Sequence, residues 1–119
     1  MTIYDVGNVL VGGNLEEGQK ELGQAVNKIL NTGSIPIIFG GGHETAYGHY
    51  LGVRSYIGDS SSLGIINIDA HFDMRDEEIA TSGTMFKQIL EQDPKTGYLV
   101  IGIQPLGNTK KLFATAKKF

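Results

Sequence analysis

An apolar run that empties directly into a charged cluster is the strongest constraint on how this chain can fold. Leu63-Gly64-Ile65-Ile66-Asn67-Ile68 is short, rich in β-branched residues, and leads without a linker into Asp69-Ala70-His71-Phe72-Asp73. A run of that length and composition reads as a strand. In open sheets of alternating strands and helices, ligand sites gather beyond the carboxyl ends of the strands. If the segment stays extended as it leaves the sheet, residues two apart point the same way, so Asp69, His71 and Asp73 project to one side. Two carboxylates packed beside an apolar strand repel each other and lose hydration unless a cation or other positive partner neutralises them. A divalent metal is the simplest such partner.

The rest of the chain alternates in a way that gives this strand neighbours. Between Asn14 and Asn31 the apolar residues Leu15, Leu22, Val26, Ile29 and Leu30 recur at helical spacing, with Asn14 placed as a cap and Gly33 as a stop. Gly18 and Gly23 each cost that helix about 1 kcal/mol relative to alanine, so tertiary packing has to hold it. Ile35-Pro36-Ile37-Ile38-Phe39, ended by Gly40, Gly41 and Gly42, reads as a buried strand. Ala46, Tyr47, Tyr50, Leu51, Arg54 and Ile57 then form one face of a second helix, with Gly58 as its stop. Further on, Met85 to Gln92 predicts a short helix, Tyr98 to Ile103 a strand and Thr109 to Lys118 a last helix; Thr2 to Val6 adds a possible first strand. The expected fold is α/β, a parallel sheet flanked by helices with right-handed crossovers. At 119 residues and 40% hydrophobic content the chain fits one domain, residues 1–119.

Charge and inventory remove several functions. Ten Lys+Arg against 13 Asp+Glu leave a net charge of -3, which does not build the positive field that a phosphate backbone requires, so no nucleic-acid partner is expected. The absence of cysteine excludes disulfides, thiolate zinc sites and a cysteine nucleophile. Met1 to Leu10 holds Asp5 and Asn8 and lacks the basic-then-apolar pattern of a signal peptide, and no apolar run approaches bilayer length. The expectation is a cytoplasmic chain with no membrane partner.

A second cluster lies at the end of the earlier predicted strand, where Gly40-Gly41-Gly42 precedes His43 and Glu44. Taken alone, the glycines fit a tight turn or an anion-binding helix start. They do not fit a nucleotide loop, because neither Gly-Lys-Ser nor Gly-Lys-Thr follows and the dinucleotide-binding spacing is absent. Read together with the Asp69 cluster, His43 becomes a fourth candidate ligand. Imidazole plus carboxylate without thiolate suits borderline or harder ions, with manganese first and zinc and iron behind.

Gly41-Gly42-His43-Glu44 and Asn67-Ile68-Asp69-Ala70-His71-Phe72-Asp73 together resemble the two amino-proximal metal motifs of the ureohydrolase superfamily, which includes arginase and agmatinase. The resemblance implies an arginase-like three-layer fold, incomplete here, and a pair of Mn2+ ions. By position it assigns Asp69 as the bridging ligand, His43 and Asp73 to one ion and His71 to the other, with a shared hydroxide as the attacking group. Thr81 to Leu90, followed by Tyr98 to Gln104, is similar to formimidoylglutamases. Arginases and agmatinases typically carry His-Gly where Met85, Phe86 and Lys87 stand, so arginase is disfavoured.

That resemblance implies hydrolysis of N-formimidoyl-L-glutamate to L-glutamate and formamide, a step of histidine breakdown. Arg75 is a candidate for binding the substrate carboxylate by a bidentate pair, with a surface salt bridge as the alternative. Ser82 and Thr84 match positions that face substrate in relatives. The family's later motif, Ser-x-Asp-x-Asp-x-x-Asp-Pro, has no match after Asp73, so a complete two-metal site is not encoded. Missing sheet neighbours would leave strand edges and apolar faces uncovered, which points to homo-oligomerisation or poor solubility. Two alternatives follow: a non-catalytic metal-binding remnant that needs a partner, and an agmatinase-like amidinohydrolase.

Overall fold

The computed structural model describes residues 1–75 and 83–119. Its elements run α1 (Leu15–Asn31), α2 (Thr45–Ile57), β1 (Leu63–Ile68), α3 (Met85–Gln92), β2 (Thr96–Ile101), a 3-10 turn (Pro105–Gly107) and α4 (Lys110–Ala116). The cap at α1 forms as its sequence dictates: the Asn14 side chain accepts from the Glu17 N–H at 3.1 Å, satisfying one of the free donors of the first turn. Gly33 (φ 81°) and Gly58 (φ 78°) sit just past α1 and at the end of α2 in the left-handed region, as expected of helix stops.

The two glycines that weaken α1 locally have a structural use in one case and a close neighbour in the other. A Cβ at Gly23 would stand 3.3 Å from both Gly48 O and Gly52 N of α2, and one at Gly52 would stand 2.6 Å from Gly23 O and 2.5 Å from Val26 Cβ. The helices therefore meet backbone to backbone, a proximity that any larger residue would block. Val26, 1% exposed, fills the space beside them, burial of that kind being worth about 1.5–3 kcal/mol. At Gly18 the near neighbour is instead the Val11 side chain.

β1 and β2 pair in parallel, from Leu63 opposite Thr96 to Ile68 opposite Ile101, with α3 in the connection between them. Alternation then divides the side chains. Leu63, Ile65 and Tyr98 turn inward against Tyr50 and Leu51 of α2 and Met85, Phe86 and Ile89 of α3, with Met74 closing the core. Ile66, Ile68, Leu99 and Ile101 occupy the opposite face and are exposed. The parallel sheet flanked by helices is present in incomplete form, with one face open among the described residues.

Two predicted strands do not form. Ile35 to Phe39 has no ladder partner, and Ile35 and Phe39 are 87% and 91% exposed. A strand exists only where a neighbour satisfies its backbone groups; the two-stranded sheet does not reach this segment, and Pro36 has no N–H to offer. Thr2 to Val6 is unpaired for the same lack of a neighbour. The later predicted elements hold: Met85–Gln92 is helical as expected, the strand expected from Tyr98 begins at Thr96 and ends at Ile101, and the last helix is capped by Thr109, whose side chain accepts from Leu112 N–H.

Candidate metal centre

Three elements deliver the site. Gly40 (φ 91°) and Gly41 (φ 77°) turn the chain so that His43 stands immediately before α2, and Gln19 of α1 fixes this start by donating from Nε2 to Glu44 O at 3.1 Å. β1 supplies Asp69 one residue beyond its last ladder pair, where the Asp69 N–H still donates to Ile101 O at 3.0 Å. The chain then bends: Asp73 has φ 50°, a left-handed conformation uncommon for a residue with a Cβ.

That bend brings together three of the four predicted ligands. Donor atoms of His43, Asp69 and Asp73 all lie within 4.8 Å of one another. His43 Nδ1 is 2.8 Å from Asp73 Oδ2 and 3.7 Å from Asp69 Oδ2. His71 lies apart from this trio. Its Nδ1 stands 3.1 Å from the other oxygen of Asp69, Oδ1, which also accepts the His71 backbone N–H at 2.8 Å. The simple extended picture, with Asp69, His71 and Asp73 on one side, thus gives way to a turn in which the two oxygens of Asp69 face different histidines.

The electrostatics of the two carboxylates diverge. The His71 backbone N–H is the main influence lowering the Asp69 pKa, aided by the His71 and His43 rings. Burial raises that of Asp73, and the nearby Asp69 charge adds to the rise, while the His43 ring and the Asn67 amide oppose it. Asp73 Oδ2 is buried and receives no hydrogen bond, although His43 Nδ1 is so close. Such an unsatisfied acceptor is costly. An imidazole nitrogen and two carboxylate oxygens facing a shared point, one of them orphaned, fit a divalent cation.

The surroundings hold residues that sequence reasoning missed. Phe86 of α3 stands edge-on to the His43 ring with centroids 5.5 Å apart, and stacks on Tyr98 at 4.5 Å. Tyr98, its phenol pushed up to about 12 by burial, donates to Phe72 O and accepts from the Asn67 side chain. Asn108 makes three hydrogen bonds around Ala70, Phe72 and Gln104. None of these partners shares a local pattern with the ligands.

The full length of the chain, residues 1–119, matches the sequence profile of the arginase family. The chain belongs to the arginase family. It is 58% identical over 119 residues to a formimidoylglutamase of Geobacillus sp. (strain WCH70), an alignment covering 98% of this chain and 37% of the relative. Its fold superposes on the crystal structure of formimidoylglutamase from Bacillus subtilis subsp. subtilis str. 168 with a TM-score of 0.85 at 24% identity, covering 98% of this chain and 37% of that one. Arginase from the same Bacillus strain gives a TM-score of 0.80 at 23% identity, covering 98% and 47% respectively. The chain thus spans less than half the length of each of these relatives.

Within this arginase-family frame the remaining predicted site residues are placed unevenly. The Arg75 N–H donates to Gly83 O at 2.7 Å, and the Arg75 side chain lies against Gly83. Thr84 is buried at the start of α3, and its carbonyl accepts from Gln88 N–H. Ser82 lies outside the described residues. No helix among the described residues is long and apolar enough to cross a membrane.

Proposed function

We propose that this chain binds manganese through His43, Asp69 and Asp73 and carries part of the active site of a cytoplasmic formimidoylglutamase. One observation carries the reading: three donor groups converge at the turn beyond β1, in a chain of the arginase family. High identity to formimidoylglutamases supports the substrate, N-formimidoyl-L-glutamate, and with it a role in histidine metabolism. The reaction adds water across the formimino carbon and breaks its bond to the glutamate nitrogen, giving L-glutamate and formamide. A divalent ion bound there would supply Lewis acidity and lower the pKa of a coordinated water.

The chain's own groups have separable tasks in this reaction. Asp69 and Asp73 provide the negative charge that holds a cation, and His43 provides a neutral donor beside them. The Asp69 Oδ1 contact orients the His71 ring beside the trio, and in this reading His71 would serve a second ion. Phe86 walls one side of His43 with aromatic surface and is itself backed by Tyr98. Arg75 remains a candidate for binding the substrate carboxylate, and Ser82 and Thr84 for facing the substrate.

A second reading is favoured by the small number of donors. Among the described residues only three groups converge, fewer than a closed two-metal cage uses, so the chain would bind an ion without turnover and need a further protein surface for catalysis. The exposed apolar sheet face would then serve association, including a homo-oligomer. The test is metal content and formamide release on one purified sample given manganese and N-formimidoyl-L-glutamate, beside Asp69→Ala. About two ions per chain with turnover lost in the variant supports the enzyme. One ion without formamide supports the second reading, and no ion overturns both.

A further inference from the structure

We propose that Asn108 is a positioning residue for the metal-ligand turn, its side-chain amide acting as a missing strand partner for the backbone around His71. The inference rests on the metal-binding reading of that turn and adds a residue 36 positions beyond Phe72 that fixes it.

The pattern is that of a parallel β-bridge made by a side chain. In a parallel ladder, one residue donates its N–H to the carbonyl before the facing residue and accepts with its C=O from the N–H after it. β1 and β2 follow that pattern up to Ile68 and Ile101, where Asp69 N–H donates to Ile101 O. There the regular ladder ends: Gly102 has φ 96°, and the backbones meet once more, where Gln104 N–H donates to Ala70 O at 3.0 Å, before the chain turns through Pro105–Gly107. Around His71 a carboxamide adds a second donor to that carbonyl and takes the Phe72 N–H. Asn108 Nδ2 donates to Ala70 O at 2.8 Å, and Asn108 Oδ1 accepts from Phe72 N–H at 3.1 Å, so the amide spans both sides of His71. Its second N–H donates to Gln104 O at 2.9 Å, which ties the amide to its own turn.

Three features make this a designed support rather than a passing contact. Asn108 is buried, 9% exposed, so each unmade bond would be costly. The amide fits in one orientation only, because its oxygen meets a donor and its nitrogen meets two carbonyls. The same turn is braced from the other side, where Tyr98 donates to Phe72 O and Phe113 of α4 packs edge-on to Phe72 at 5.1 Å. Asp69, His71 and Asp73 therefore hang from a backbone gripped at residues 70 and 72. Outer partners of this kind commonly set metal affinity by about 10- to 100-fold.

The substitution Asn108→Asp tests this without changing size. A carboxylate there can still accept from Phe72 N–H but opposes Ala70 O and Gln104 O. Manganese affinity of the whole chain is read by the free-ion electron paramagnetic resonance signal, beside the thermal midpoint without metal. The control is Thr115→Ala, which removes a buried bond within α4, to Lys111 O, and none made by residues 70–72. The expected result is affinity at least about tenfold weaker in Asn108→Asp and unchanged in Thr115→Ala. Equal affinity in Asn108→Asp and the unaltered chain overturns the proposal while leaving metal binding standing. An unaltered chain that binds no manganese overturns the metal reading and the proposal with it. Should Asn108→Asp fail to fold, amide exchange of the unaltered chain decides: Phe72 N–H exchanging about a hundredfold slower than an unstructured amide supports the bridge, and fast exchange removes it.

Discussion

The two ends of the β1–β2 pair carry acidic groups that are held in opposite ways. At the amino end, one oxygen of Asp93 receives the Thr96 hydroxyl at 2.6 Å, the Tyr50 hydroxyl at 3.0 Å and the Arg54 guanidinium at 2.6 Å, while the other accepts Lys95 N–H. Those donors, Thr96 foremost, bring its pKa down to about 2. At the carboxyl end, Asp73 is part-buried, has one buried oxygen without a hydrogen bond, and has its pKa raised by desolvation. Both oxygens of Asp93 are satisfied by protein alone. One oxygen of Asp73 is not, and on the function proposed above that contrast separates a fastener from a binding site among residues of the same type.

Substitutions should therefore move stability at one end and ligand binding at the other. The largest effect is expected from Asp69→Ala, with manganese affinity falling about 100-fold or more as a central donor is lost, and the metal-free melting midpoint moving by only about 2 °C. A collapse of that midpoint would show that the carboxyl end is a fastener too. Asp93→Asn should do the reverse, lowering the midpoint by about 10 °C because Arg54 loses its charged partner, with manganese affinity held within about threefold. A large loss of affinity would couple the two ends and erase the distinction.

Two smaller effects sharpen the same comparison. Gly52→Ala forces α1 from α2 and should cost about 1–3 kcal/mol in urea unfolding. Acid should act through Asp93. Its folded pKa, about 2, lies below its ordinary 3.8, so its contribution is fully present above about pH 4 and is lost as pH falls toward 2. In Asp93→Asn the metal-free chain should show a shallower acid dependence over that interval, read by chemical denaturation at each pH.

Much of the frame was legible because it is local. Asn14 as cap, the apolar period of α1, and the β-branched run of β1 each declare themselves within a few residues, and the family motifs placed His43, Asp69 and Asp73 before any geometry was known. Ile35 to Phe39 misled because an apolar run states a preference, whereas a strand also needs a neighbour to accept its backbone. Gly48 and Gly52, four apart on α2, were a readable signal of close helix contact that composition alone obscured. Asn108 offered no such signal, since an asparagine after a glycine is an ordinary turn residue and its two partners in the ligand turn lie more than thirty positions earlier. The separation of His71 from the trio goes with its backbone and ring contacts to Asp69 Oδ1, a turn that residue spacing does not report.

The grip of Asn108 on residues 70 and 72 also has a bearing on time. The α1 and α2 contact joins neighbours in sequence and can form early, whereas the ligand turn is finished only after β2 has crossed over and the segment beyond it has folded back. A site assembled that late contributes little to the folding transition state. Whatever ion it captures would leave the rate of folding nearly unchanged and act instead as a brake on unfolding, lengthening the life of a chain already folded.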